Sequence, residues 1–411
     1  MGKTLMRFFA ALCAVAGLAG APAVANATLY TLFDLGALGP PPGAGEWRWM
    51  QATGFNNSGQ VVGFETHLAQ AADGSWSETG ETAWISGANG IGLSALPTLG
   101  GAWNRATGIN DAGWVVGTSS TASGTERAFV VGPNGTSARD LGTLGGTSSS
   151  ATAINASGQV VGTSTTAAGL RRGFISDAQA GTLHDLGSLY QGSTATSAPT
   201  AINASGQVTG MSSASPGMDG TERAFVTGPN GAAMRQITIT GQDPTAPSWG
   251  RGINDRGQTS GLSAPGYSYP AGFIADADGN GRLLELPIGP GGGEFPVSVD
   301  VWPGGLNAAG QVVGRYHQGT LAEGLFVTGP DGHGATLLDA SSFIGLTGPL
   351  PYWDYDAALL INDAGQILVT SGDRHVYLIS PVPEPAVVSM LLAGLGLLAW
   401  RQKPSPRKEN P

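Results

Sequence analysis

The chain has 411 residues, 67 of them Gly and 26 Pro, with 12% charged residues and a formal net charge of −10. An apolar content of 41% excludes a disordered chain, which lacks the apolar side chains needed to offset ordering entropy. The acidic balance, without basic runs, repels phosphate backbones and excludes nucleic acid as a partner class.

Residues 1–27 read as a signal peptide: Lys3 and Arg7 lead into an apolar stretch over 8–18, and Ala-x-Ala sites end at Ala25 and Ala27. Export and trimming by signal peptidase are expected. Prolines and polar residues follow too soon for a span of about 20 apolar residues. The single cysteine, Cys13, lies inside this segment behind Leu12, which is not the small residue a lipoprotein site needs. The mature chain would then carry no disulfide and no thiolate ligand. Between 28 and 380 all 13 basic residues are Arg, against 27 acidic ones, a balance of 13 − 27 = −14.

The body is organised by one phrase, Ile154-Asn155-Ala156-Ser157-Gly158-Gln159-Val160-Val161-Gly162. Its asparagine recurs at Asn56, Asn110, Asn155, Asn203, Asn254, Asn307 and, in a degraded copy, Asn362, in steps of 54, 45, 48, 51, 53 and 55 residues. Asn-x-x-Gly is turn chemistry and the β-branched pair behind it favours a strand, so each phrase predicts a hairpin. A second phrase sets an aromatic between a small or apolar residue and a mostly β-branched one, as in Ala128-Phe129-Val130 and Gly173-Phe174-Ile175. A third reads Asp140-Leu141-Gly142 or Asp185-Leu186-Gly187, with weaker versions such as Glu285-Leu286. Four short antiparallel strands per unit of about 50 residues predict an all-β, seven-bladed propeller. The chain ends support closure. A lone third-phrase strand over 29–35 opens the body, and the last repeat, 359–379, lacks that strand. The first should complete the last and leave no open sheet edge.

With Asp140-Leu141-Gly142-Thr143-Leu144-Gly145-Gly146, Ala153-Ile154-Asn155 and Gly158-Gln159-Val160-Val161-Gly162 in view, the body from 29 to 380 resembles the HAF family of bacterial extracellular repeats. Arg127 and Arg223 stand where that family's name-giving histidine would be, so no role for the histidine carries over. The tail, 381–411, resembles a PEP-CTERM sorting signal: Pro383-Glu384-Pro385, an apolar run over 386–400, then Arg401 and further basic residues. The resemblance implies an exosortase as processing partner and transient inner-membrane anchoring by a transmembrane helix. It also implies delivery to the cell surface or extracellular matrix.

Three groups are candidates for chemistry. Asp276-Ala277-Asp278-Gly279-Asn280 matches the opening of a calcium loop, but Pro287 stands where the closing glutamate would be, and a hairpin turn explains the same residues. No cofactor is otherwise expected. The five histidines share no repeat position, and no nucleophile or phosphate-loop motif is present. Aromatics are the third group. Trp47, Trp49, Trp103, Trp249, Trp302, Tyr352 and Trp353 are placed in the connections between units, with Arg48, Arg105, Arg251 and Asp354 beside them. A closed ring would gather these connections at one channel mouth, where flat rings with polar neighbours suit sugars. Alternatively, the tryptophans fill gaps between blades. The expected function is an exported, non-catalytic module for polysaccharide or another surface partner. A glycan-cleaving enzyme and a purely structural envelope protein are the alternatives.

Overall fold

The computed structural model describes residues 29–382 apart from 37, 39–42, 134, 136, 218–219, 265–270, 286–297, 301–304, 319–321, 339–341, 344–358 and 371–374. The chain divides into a unit of Thr31–Ser380 and a unit that joins Met1–Tyr30 with Pro381–Pro411. The signal peptide and the sorting tail from residue 383, with its expected membrane helix, lie outside the described residues. Among the described residues no helix is long and apolar enough to cross a membrane.

Seven sheets form the body, each with four antiparallel strands counted outward from the first. Blade I holds Glu46–Phe55, Val61–Gln70, Trp76–Ser86 and Leu93–Ala95. Blade II holds Gly100–Ile109, Val115–Thr121, Glu126–Val131 and Ala138–Asp140; blade III holds Gly145–Ile154, Val160–Thr166, Arg171–Ser176 and Leu183–Asp185. Blades IV, V and VI open with Thr196–Ile202, Ser248–Ile253 and Ser298–Asp300. Blade VII takes Leu359–Ile361, Ile367–Thr370 and Val376–Pro381 from the chain's end, and its fourth strand, Tyr30–Asp34, from the beginning. Leu35 N donates to Val376 O (3.0 Å) and Thr31 Oγ1 to Ser380 O (3.4 Å), an antiparallel register. His375 Nδ1 meets Asp34 Oδ2 at 2.8 Å across the same seam. The expected closure is thus the observed one.

Blade V departs from the expected pattern. Its fourth strand is Asn280–Leu283, not Glu285-Leu286, and a fifth strand, Thr238–Ile239, pairs parallel with it. The short Asp276–Gly279 turn returns the chain early, and the long connection from blade IV covers the edge left behind.

The asparagines do more than turn the chain. Within each turn, Asn155 Oδ1 accepts from Gln159 N (2.9 Å), and Gly158, at φ +78°, supplies the left-handed residue. The amide nitrogen then reaches the next blade. Asn56 Nδ2 donates to Asn110 O (3.1 Å), Asn110 to Asn155 O (3.0 Å), and Asn155 to Asn203 O (3.0 Å). The chain continues from Asn203 to Asn254 O (2.9 Å) and from Asn254 to Asn307 O (3.1 Å). Asn307 donates to Asn362 O (3.2 Å) and Asn362 back to Asn56 O (3.1 Å). Seven buried amides therefore form a closed wheel around the axis. A second tier joins Thr53, Thr107 and Thr200 Oγ1 to the carbonyls of Ala106 (2.8 Å), Ala151 (3.0 Å) and Gly250 (2.9 Å).

These threonines owe their reach to a bulge. Ala52 pairs with Gly63 and Gly54 with Val62, leaving Thr53 as the extra residue; Thr107, Thr152 and Thr200 repeat it. The bulge aims a carbonyl at the glycine that ends each phrase. A Cβ on Gly162 would lie 2.0 Å from Ser150 O, and the ring of Phe174 covers that glycine from the other side. Trp84, Phe129, Phe174, Phe225, Phe273 and Phe326 are wholly buried in this way. Each contributes roughly 1.5–3 kcal/mol of apolar burial. The last repeat has Val369 instead, and there Leu359 to Ile361 pair with Val369 to Ile367 without a slip. Arginine also recurs in one role, tying a blade to its neighbour. Arg139 donates to Ala180 O (3.1 Å), Arg235 to Ala277 O (3.1 Å) and Arg282 to Asp331 O (2.7 Å) in the following blade. The planar, multi-donor head suits these turn carbonyls better than an ammonium would.

Candidate functional site

The first strands line the axis, and the Asn turns gather at one end of it. A 240 Å³ hollow there is lined by the wheel and by the residues after it, among them Asn57, Asp111, Asp255 and Asp363. These carboxylates are engaged. Asp111 takes Asn57 N (2.9 Å) and Nδ2 (3.0 Å), Asp255 takes Ala204 N (2.8 Å), and Asp363 takes Ala308 N (2.7 Å). These bonds tie each turn to that of the neighbouring blade.

The opposite end is irregular, and blade I makes it so. Its second and third strands have 10 and 11 residues, against 7 and 6 in blade II. At about 3.3 Å per residue the hairpin stands roughly 10 Å beyond its neighbour. On that extension Trp47 pairs with Leu68 and Gln70 with Trp76, so both tryptophans project from one side of the sheet. They are 57% and 47% exposed, among the most exposed large apolar side chains described.

Of the aromatics and arginines expected in the connections, Trp47, Arg48, Trp49, Trp103, Arg105, Trp249 and Arg251 lie within first strands instead. The strand runs back from its Asn turn far enough to absorb them, because aromatic residues continue a pleated strand. Trp302, Tyr352, Trp353 and Asp354 lie outside the described residues. Trp47 and Trp49 share the face of blade I that meets Trp103 and Arg105 of blade II, whereas Arg48 points from the opposite face, beside Glu65 and His67. Trp249 and Arg251 sit apart on blade V. Trp249 packs against the core of Leu262, Ile274, Leu306 and Phe326, and burial holds the Arg251 guanidinium below its ordinary range.

At the blade I–II junction Arg105 binds the buried carboxylate of Glu81. Its guanidinium lies 5.2 Å from the Phe64 ring centre and 5.8 Å from that of Trp103. The hydrogen bond to Glu81 raises the Arg105 pKa, and the charges of Glu81, Glu78 and Glu126 add to it. On blade I, Glu65 is 2% exposed. Its Oε2 lies 3.4 Å from His67 Nε2 and 3.9 Å from Arg48 Nη1, yet neither Glu65 Oε2 nor His67 Nε2 has a hydrogen-bond partner among the described residues. Burial raises the Glu65 pKa against the pull of Arg48; burial, then Arg48, lowers that of His67. Both groups are thus pushed toward their neutral forms.

The sequence reading missed Trp76, Glu65 and Glu81. For Glu81 a signal was present: Glu81, Glu126, Glu222 and Glu323 each stand three residues before the aromatic of the second phrase. The residues of the calcium candidate form a turn. Asp276 Oδ1 accepts from Asp278 N and Asn280 N (2.9 Å each), copying the Asn turns, and among the described residues no three acidic, His or Cys side chains cluster for a metal.

Residues 381–403 match the PEP-CTERM protein-sorting motif. The motif marks an exported protein sorted at the membrane and processed by an exosortase. No curated protein matches the sequence. Among solved structures, a Pyrococcus horikoshii acylaminoacyl peptidase is similar at 10% identity and TM-score 0.49, over 88% of this chain and 55% of that one. A Mycobacterium tuberculosis puromycin-hydrolyzing peptidase follows at 12% and 0.48, over 79% and 50%, and TolB from Acinetobacter baumannii at 12% and 0.37, over 83% and 80%. The chain spans about half the length of the two peptidases. At such identities the likeness says nothing of activity.

Proposed function

We propose that this is an exported surface propeller that binds polysaccharide without cleaving it, through the projecting hairpin of blade I and the adjoining edge of blade II. The carrying observation is that Trp47 and Trp76, both exposed, project from one face of the blade I extension, the face that Arg105 of blade II also meets. Exposed rings cost a monomer solubility and are kept where they meet a ligand. Stacking on sugar faces and hydrogen bonds from Arg105 would hold it. Delivery would follow the tail: signal peptidase removes 1–27, the 386–400 segment holds the chain in the inner membrane, and exosortase acts near Pro383-Glu384-Pro385. The HAF resemblance fits an extracellular repeat protein. A glycan array with the full-length protein and a Trp47→Ala/Trp76→Ala variant tests the reading. Parent and variant giving the same array pattern would end it.

A further inference from the structure

The seven-fold repeat allows one blade junction to be compared with the next, side chain by side chain. Counted back from each blade's asparagine, Trp103-Asn104-Arg105 of blade II correspond to Ser148-Ser149-Ser150 of blade III. Counted back from the buried aromatic, Glu81 of blade I corresponds to Glu126 of blade II. The hydrogen bonds keep the same correspondence: Ala83 N donates to Asn104 Oδ1 (2.7 Å), and Ala128 N to Ser149 Oγ (3.0 Å). At the I–II junction the space in front of the glutamate is filled by Arg105, which binds Glu81. At the II–III junction serines replace Trp103 and Arg105, and a 240 Å³ cavity opens there. Glu126 from blade II and Arg171 from blade III line it, with the hydroxyls of Ser148, Ser150, Thr163 and Thr165.

We propose that this cavity is a cation subsite that takes the ammonium of an unacetylated amino-sugar unit, seated on Glu126 where the neighbouring junction seats its own guanidinium on Glu81. The proposal rests on the polysaccharide reading and narrows it to glycans with free amines. Three features carry it. At the I–II junction the corresponding position holds a cation against its glutamate. Hydroxyl walls match a polyol better than an apolar ligand. Arg171, with one N–H held by Thr163 Oγ1 at 3.1 Å, keeps further donors for ring and hydroxyl oxygens.

The test is calorimetric titration of the full-length protein with a β-linked glucosamine oligomer and its N-acetylated counterpart. The free-amine oligomer should bind about tenfold more tightly or better, the scale of one charge-assisted hydrogen bond. Glu126→Gln should abolish that preference. Ser150→Arg should abolish it too, by supplying the guanidinium that Arg105 supplies next door. The reciprocal variant Arg105→Ser should open a second amine-dependent site at Glu81 and raise the stoichiometry. Melting temperatures near the parent's would show that the variants fold. Equal affinity for the two oligomers, with binding still lost in Trp47→Ala/Trp76→Ala, overturns the subsite and leaves the polysaccharide reading standing. A preference that survives Glu126→Gln and Ser150→Arg also overturns it. Binding of neither oligomer overturns it as well, and the polysaccharide reading is then judged on neutral glycans with the tryptophan variants.

Discussion

The two ends of the propeller are built on opposite rules. At the Asn end every blade contributes the same turn, the same amide and the same carbonyl, and the result is a closed wheel of seven bonds. At the other end blade I overshoots, blade II fills its junction with Arg105, and blade III leaves the matching junction open. Repetition serves closure, because a ring needs each contact to equal the next. Departure from repetition is where distinct chemistry appears, since an identical sevenfold surface would offer seven equal, shallow sites.

Mutations should separate the two ends. The largest effect is expected at Gly162→Ala, whose Cβ would meet Ser150 O at 2.0 Å. Backbone has to move, so a loss of about 4 kcal/mol or more is predicted in denaturant unfolding. A loss under about 1 kcal/mol would show that the bulge yields freely. Next comes Asn155→Ala, which removes the bonds to Gln159 and to Asn203 O and leaves buried groups unpaired. About 2–4 kcal/mol should be lost, with glycan binding unchanged where the variant is folded. Loss of binding in folded Asn155→Ala would move the site to the wheel. At the other end, Trp47→Ala and Trp76→Ala should each weaken sugar binding by about 1–3 kcal/mol, the scale of stacking on an aromatic face. Stability should change by no more than about 0.5 kcal/mol, because both rings are exposed. The reverse pattern would mark these rings as structural.

The smallest effects concern pH. The Glu65 pKa is raised in the folded protein, so its contribution is intact below the ordinary 4.5 and is lost as pH rises through the folded value. Glu65→Gln should therefore melt higher than the parent near neutral pH, and the gain should vanish in acid below 4.5. His67 is lowered, so the unfolded chain binds its proton more readily and stability falls as pH drops below 6.5. His67→Gln should flatten that acid-side loss. A pH-independent difference in either variant would mean that burial does not perturb the group.

Blade count, closure and the buried aromatics were legible from residue types alone. Asn-x-x-Gly, paired valines and a recurring aromatic are local signals, and the complementary chain ends told how the ring is sealed. The amide wheel was not legible, because whether an asparagine bonds its own turn or the next blade's carbonyl depends on the distance between blades. Nor was the bulge, although the glycine at 63, 117, 162, 210 and 261 was its trace. Placement of the tryptophans failed for a related reason. Sequence shows that Trp47, Trp103 and Trp249 precede a hairpin, but strand length decides which end they reach, and packing decides which are covered. Trp76 stood outside the connections that ring symmetry singled out, and only the projection of blade I puts it on the same exposed face as Trp47. Short-range turn and strand chemistry determined the repeat by itself. Side chains distant in sequence became a site only when the closed ring set one blade against the next.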